Sequence, residues 1–97
     1  MKVEFHVGTV DDLNAATTHY NSLNPGLGDA LRAEVYAAVD RVLSHPQQYA
    51  VVEHDTRRCF VRRFPYSILF RIVSPDLLRI LVIRHHRRHP RFGLVRR

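Results

Sequence analysis

Residues 67–83 read Ser-Ile-Leu-Phe-Arg-Ile-Val-Ser-Pro-Asp-Leu-Leu-Arg-Ile-Leu-Val-Ile, and this stretch decides the fold class. Ile68, Phe70 and Ile72 fall on one face of an extended chain, because side chains alternate with a period of two. Ser74-Pro75-Asp76 is turn chemistry. The run Leu77 to Ile83 is almost wholly apolar, which suits a central strand covered on both faces. Two strands joined by so short a turn pair antiparallel.

Upstream, Arg58 to Phe64 alternates more weakly and predicts a third strand of the same meander. Before it the period changes. Leu27, Leu31, Val35, Ala38 and Val42 recur at steps of three and four, the signature of a helix with one buried face. His45-Pro46 ends that helix, since the residue before proline avoids helical angles. Asn24-Pro25-Gly26-Leu27-Gly28 separates it from an earlier helix marked by Leu13, Ala16 and Tyr20. Thr9 is the expected N-cap of that first helix, with Asp11 and Asp12 in its first turn. At the start of the chain Val3, Phe5 and Val7 alternate with Lys2, Glu4 and His6 and predict a strand. The expected order is strand, helix, helix, strand, strand, strand. This is an α+β fold in which a small antiparallel β-sheet meander packs against an N-terminal helical hairpin. It forms one domain over residues 1–97. Val95-Arg96-Arg97 is expected to fray.

Charge is distributed very unevenly. Residues 57–97 carry twelve arginines and a single acid, Asp76. Residues 1–56 carry Lys2, Arg32 and Arg41 against Glu4, Asp11, Asp12, Asp29, Glu34, Asp40, Glu53 and Asp55. The net charge is +6. Such a cationic end calls for a polyanionic partner. Arginine, whose planar fork suits phosphate and carboxylate, is used in place of lysine. The apolar share of 45% is that of a globular domain and excludes a disordered basic tail. Cys59 is the only cysteine, so no disulfide closes within the chain. The N-terminus has no signal core and no apolar run spans a bilayer, so a cytoplasmic protein without membrane attachment is expected.

Chemistry is concentrated after the last strand, in Arg84-His85-His86-Arg87-Arg88-His89-Pro90-Arg91-Phe92. Histidines titrate near neutral pH and serve as acid or base. Arginines hold a phosphate and stabilise the charge that grows on it, and Phe92 offers a face for a base. Arg57, Arg62, Arg63, Arg71, Arg87 and Arg91 are the remaining candidates for nucleic-acid contact. These ingredients suffice for RNA cleavage without a metal: the ribose 2′-hydroxyl attacks the adjacent phosphorus between a base and an acid. The blander alternatives stand beside this. Arginines on exposed strand positions are often only solvated charges. A histidine at the end of an apolar strand serves equally as a structural residue bonded to backbone. His85, His86 and His89 lack the acid or cysteine of a zinc site, so no metal or other cofactor is expected.

Three stretches together resemble the RelE/ParE superfamily of bacterial toxins. Asn24-Pro25-Gly26-Leu27-Gly28 runs into Ala33-Glu34-Val35 and closes with His45-Pro46 before Tyr49. Arg57-Arg58-Cys59-Phe60-Val61-Arg62-Arg63 leads into Phe64-Pro65-Tyr66 and an apolar strand to Phe70. Ile80-Leu81-Val82-Ile83-Arg84-His85 is followed by Arg87-Arg88 and Pro90, similar to the family's His-x-x-Arg-x-Pro ending. The resemblance implies the toxin of a type II toxin–antitoxin pair, blocked by a cognate antitoxin and binding operator DNA only together with it. RelE-like members cleave messenger RNA on the ribosome, and ParE-like members poison DNA gyrase. Carried onto this chain, the resemblance implies His85 or His86 as acid/base, with Arg88, Arg62 and Arg63 on phosphate. The chain departs from the nuclease pattern at Phe92, where many members have tyrosine, and in having Lys2 as its only lysine. It departs from the ParE-like pattern at Gly93, where tryptophan is frequent. A metal-independent endoribonuclease acting on ribosome-bound mRNA is the first expectation. A gyrase inhibitor and a non-catalytic nucleic-acid-binding module are the alternatives.

Overall fold

The computed structural model describes residues 1–97. Strand β1 (Lys2–Phe5) is followed by helices α1 (Val7–Leu23) and α2 (Leu27–Ser44), then a 3₁₀ turn (Pro46–Gln48). Strands β2 (Val51–Glu53), β3 (Thr56–Phe60), β4 (Tyr66–Ser74) and β5 (Leu77–His85) complete the chain. They form one five-stranded sheet in the order β1-β5-β4-β3-β2. The α+β architecture and the antiparallel meander are those read from the sequence. Two details are additional. Strand β1 joins β5 in parallel at one edge, and the three-residue β2 forms the other edge.

The start of α1 differs from expectation. His6 caps it, with Nδ1 accepting the Gly8 N–H at 2.9 Å. Thr9 is fully buried and donates its hydroxyl to the Ile80 carbonyl at 2.9 Å, which ties α1 to β5. A threonine that finds a buried carbonyl partner has more to gain there than at a solvated helix end. Asp11 and Asp12 consequently fall beyond the first turn.

The hairpin is drawn tight at Gly28. A Cβ there would collide with the Thr17 carbonyl of α1, so only glycine permits this approach. Leu31, Val35, Ala38 and Val42 of α2 are completely buried, and with Leu13 and Ala16 of α1 they cover Ile68, Phe70, Leu78 and Ile80 of the sheet.

The opposite face of the sheet carries a second, smaller core. Leu69, Leu81 and Val82 are covered by Phe92 and Leu94 of the C-terminal segment. Strand β5 is thus covered on both faces, as its composition predicts. The expectation that the last residues fray is corrected. The Arg96 guanidinium bonds the Asp12 carboxylate at 2.6 Å and the Leu81 carbonyl at 3.0 Å. The Arg97 carbonyl accepts from Arg71 and Arg79. Charged side chains at a terminus order it when buried carboxylates and carbonyls lie within reach.

A bulge sets the phase of the functional end. Leu69 pairs with Val82, but Phe70 pairs with Ile80, so Leu81 is an extra residue in β5. Such an insertion shifts the alternation by one. Beyond it Ile83 turns to the helices, Arg84 pairs with Ser67, and His85 pairs with Tyr66.

Candidate functional site

The ends of β3, β4 and β5, the β3–β4 loop and the first residues of the C-terminal segment together make the cationic end of the molecule. Arg84 and His85, consecutive in β5, face opposite sides of the sheet, so this end is divided into two recesses, and the bulge decides which side each residue takes.

On the helix-free face, Arg58, Phe60, Ser67, Arg84, His86 and Pro90 surround a recess of about 250 Å³. The Ser67 hydroxyl and His86 Nε2 are hydrogen-bonded at 3.1 Å. The His86 N–H donates to the Pro65 carbonyl at 2.8 Å, which anchors the residue to the loop. Its ring stands edge-on to Phe60, with centroids 5.6 Å apart and planes at 87°. The Arg58 guanidinium lies 4.8 Å from the Phe60 ring centre, a cation–π contact. Arg84 donates to the Pro90 carbonyl. Burial, and then the neighbouring Arg58 charge, lower the pKa of Arg84 from its ordinary value. Neither Arg58 nor Arg84 has a carboxylate partner.

On the helix face, His85, Tyr66, His19, Ala16, Asp11 and Phe92 line a cleft of about 370 Å³ between α1 and the end of β5. His85 stands edge-on to Tyr66, centroids 5.0 Å apart. Its Nδ1 accepts the Arg87 N–H at 2.9 Å, leaving Nε2 to carry the proton of the neutral ring. Burial, followed by Arg87, His86 and His19, pushes its pKa below the ordinary histidine value. Burial and the adjacent Tyr20 raise the Tyr66 phenol, against the pull of Arg88. Arg88 lies at the boundary, lining both recesses.

The other residues singled out in the sequence divide by their partners. Arg57 donates to the Gln47 and Tyr49 carbonyls at 3.1 and 2.8 Å and holds the 3₁₀ turn. Arg71 pairs with Asp55 at 3.0 Å and Arg91 with Glu53 at 3.2 Å. Arg62, Arg63 and Arg87 are exposed and form no ion pair. Arg63 adopts φ 69° and lies over Phe64. Phe92 packs on the second core, with the Arg88 and Arg96 guanidiniums 4.4 and 5.3 Å from its ring centre. Arg58, Phe60 and Ser67 are not among the residues singled out in the sequence, and Arg84 is read there only as the start of the basic segment. Their signal is the cross-strand register, which depends on the bulge.

No three histidine, cysteine or acidic side chains converge as a metal-binding group. No helix is long and apolar enough to cross a membrane.

A family model described as the ParE toxin of the type II toxin–antitoxin system parDE matches residues 3–90. Among solved structures, a chain from "Chromosomal ParDE TA system from P. aeruginosa" is similar with a TM-score of 0.77. The match covers 88% of this chain and 95% of that one, at 22% identity, and so speaks to the fold. No curated protein matches the chain.

Proposed function

The chain belongs to the ParE toxin family of type II toxin–antitoxin systems, and from that premise we propose that it stops bacterial growth by engaging DNA gyrase through its cationic end. The cognate antitoxin neutralises it, and operator DNA is bound only by the two together. The observation that carries this reading is the separation of His85 and His86 into different recesses. Cleavage of RNA by its own 2′-hydroxyl needs a base at the attacking oxygen and an acid at the leaving oxygen of one phosphate. Each must come within roughly 3 Å of its proton. His85 and His86 line different recesses and do not form such a pair. A surface-contact inhibitor needs no acid/base pair, only an exposed array of charge, and Arg62, Arg63 and Arg87 supply one.

The test is a supercoiling reaction with purified gyrase, relaxed plasmid and ATP. The chain should suppress supercoiling and leave cleaved DNA, and the antitoxin should restore the reaction. Unimpaired supercoiling at toxin in tenfold excess over gyrase rejects the gyrase assignment.

A second reading has one observation in its favour. His86, bonded to Ser67 beside Arg58, Arg84 and Arg88, forms a compact recess in which a single imidazole moves the proton while guanidiniums hold the phosphate. On that reading the chain cuts ribosome-bound mRNA, with His86 and Arg88 catalytic and His85 structural. Replacing His86 by alanine then abolishes toxicity, whereas a gyrase inhibitor retains it.

A further inference from the structure

Strand β1 is an edge of the sheet, and its outer side has no neighbouring strand. Lys2 and His6 donate their N–H groups inward, to the Asp76 and Ile80 carbonyls, at 2.7 and 2.9 Å. A parallel ladder engages alternate residues of a strand, so Val3 and Phe5 turn their N–H and C=O groups away from β5. The side chains alternate between the two faces of the sheet. Val3 and Phe5 lie against the helix-covered core, where the Phe5 ring meets Tyr36 of α2 edge-on with centroids 6.2 Å apart. Met1 and Tyr36 are 54% and 46% exposed, bare for residues of their size. Lys2 and Glu4 lie on the opposite, helix-free face. Lys2 has no carboxylate partner. Glu4 takes both of its Arg79 bonds through Oε1, which leaves Oε2 open. An exposed edge is commonly guarded by a charge of one sign. Here Lys2 and Glu4, two residues apart on one face, carry opposite signs.

We infer that β1 is a self-association edge, on which β1 of a second copy of this chain pairs antiparallel about a two-fold axis at Val3. The register follows from the backbone phase and the charges. Outward-facing residues must meet outward-facing residues, which allows an axis only at Lys2, Val3 or Glu4. An axis at Lys2 sets lysine on lysine, and an axis at Glu4 sets carboxylate on carboxylate. Both are unfavourable directly across a strand pair. An axis at Val3 sets Lys2 opposite Glu4 of the second copy, and Glu4 opposite its Lys2. Val3 then exchanges N–H and C=O with its own equivalent, and Phe5 bonds across to Met1 of the second copy. On the helix face Met1 of one chain lies on Phe5 of the other, next to Tyr36. Each chain carries a net charge of +6, so copies repel at long range. The pairing minimises that cost. Strand β1 runs beside Leu77–Ile80, and the cationic end lies beyond Ile83. The two-fold therefore sends the two cationic ends to opposite poles of one continuous sheet. An extended segment of another protein would gain the backbone bonds without the reciprocal charge pairs. Strand β2, the other edge, has three residues and an irregular pairing to β3, and offers no such match. The paired strands are short, so the dimer is weak and reversible. It displays two cationic ends, and a target with two equivalent sites meets a bivalent ligand.

The experiment is sedimentation equilibrium of the full chain under reducing conditions, from roughly 10 μM to 1 mM, the range in which a weak interface is read. The native chain, Lys2→Glu, Glu4→Lys and an equimolar mixture of the two variants are compared. The native chain should pass from monomer to dimer across that range. Each variant alone sets like charges across both pairs and should dimerise about tenfold more weakly or worse. For Lys2→Glu this loss comes although the net charge falls, so general repulsion does not account for it. The mixture restores opposite charges in both pairs, and dimerisation should return to about the native level. A native chain that stays monomeric to 1 mM overturns the inference and leaves the edge to an extended segment of another protein. A dimer that ignores both charge reversals, or a mixture no better than its components, also overturns it and places any contact elsewhere. Should Glu4→Lys fail to fold beside Arg79, amide hydrogen exchange of the native chain decides alone. Exchange at Val3 and Phe5 should slow as concentration rises, while exposed amides of the β3–β4 loop are unaffected. Exchange at Val3 and Phe5 that is the same at every concentration overturns the assignment.

Discussion

Replacing Arg96 by alanine should destabilise the fold far more than a substitution at the penultimate residue of a chain normally does. The Arg96 guanidinium is 18% exposed and the Asp12 carboxylate 9%. Their bond is 2.6 Å, and Arg96 also donates to the Leu81 carbonyl at 3.0 Å. Without Arg96 the carboxylate keeps only the Ile83 N–H, at 3.1 Å, and stays nearly out of water. Breaking a fully buried pair by removing one partner costs about 3–5 kcal/mol. The residual exposure of Arg96 lowers the expectation to about 2–4 kcal/mol. That is a large part of the roughly 5–15 kcal/mol by which a domain is stable. Urea denaturation of the native chain, Arg96→Ala, Asp12→Ala and the double variant measures both the loss and the coupling. The double variant should cost much less than the sum of the singles, with a coupling of about 1–3 kcal/mol. A loss under about 0.5 kcal/mol for Arg96→Ala, with additive effects in the cycle, refutes the reasoning. That result would mean the C-terminal segment merely rests on the sheet, in the range of ordinary surface substitutions.

Gly93 should tolerate no side chain: its φ is 79° and a Cβ would collide with Val82. Gly93→Ala is expected to cost about 2–3 kcal/mol from left-handed backbone strain and overpacking, read as a lowered thermal midpoint; an unchanged midpoint contradicts the seating of Phe92 and Leu94 on the sheet. His85 should make stability depend on pH. Its folded pKa lies below the ordinary value through burial and the charges of Arg87, His86 and His19, with Asp11 and Arg88 lining the same cleft. The unfolded chain therefore takes up a proton first, and the stability contributed above about pH 6.5 is lost as the pH falls from there through the folded pKa. His85→Gln should flatten that slope in urea midpoints taken between pH 7.5 and 5; an identical slope in the variant rejects the assignment to His85.

The elements legible in the sequence are those whose burial follows a simple period. The α2 stripe from Leu27 to Val42, the alternation of Ile68 and Phe70, and the apolar run Leu77–Ile83 each have one geometry that buries them. The parts that escaped depend on contacts distant in sequence. Strand β2 has three residues, two of them exposed, too few to display alternation. The parallel pairing of β1 with β5 follows from the helical hairpin carrying the chain back across the sheet. Thr9 looks like a cap until the Ile80 carbonyl is placed above it. The last residues look free until Asp12 and Asp55 are brought beneath Arg96 and Arg97.

The cationic end shows the same division. Its position after the last strand was plain from the arginine and histidine run. Its internal arrangement was not, because the single inserted residue at Leu81 reverses which side chains meet. Without the bulge, Arg84 and His85 would exchange faces and Arg84 would not share a recess with Arg58. The site expected as one histidine cluster is two recesses. The cations lining the helix-free recess are Arg58, Arg84 and Arg88, while Arg57, Arg71 and Arg91 bond to carbonyl or carboxylate partners within the fold.

The central claim is that the chain poisons DNA gyrase and does not cut RNA. It is tested most directly by inducing the chain in growing bacteria and pulse-labelling DNA and protein synthesis separately through the first minutes. The account predicts that DNA synthesis collapses first, with a DNA-damage response, and that the same collapse follows induction of the His86→Ala variant. A first collapse of protein synthesis that disappears in His86→Ala contradicts it and returns the chain to the ribonucleases.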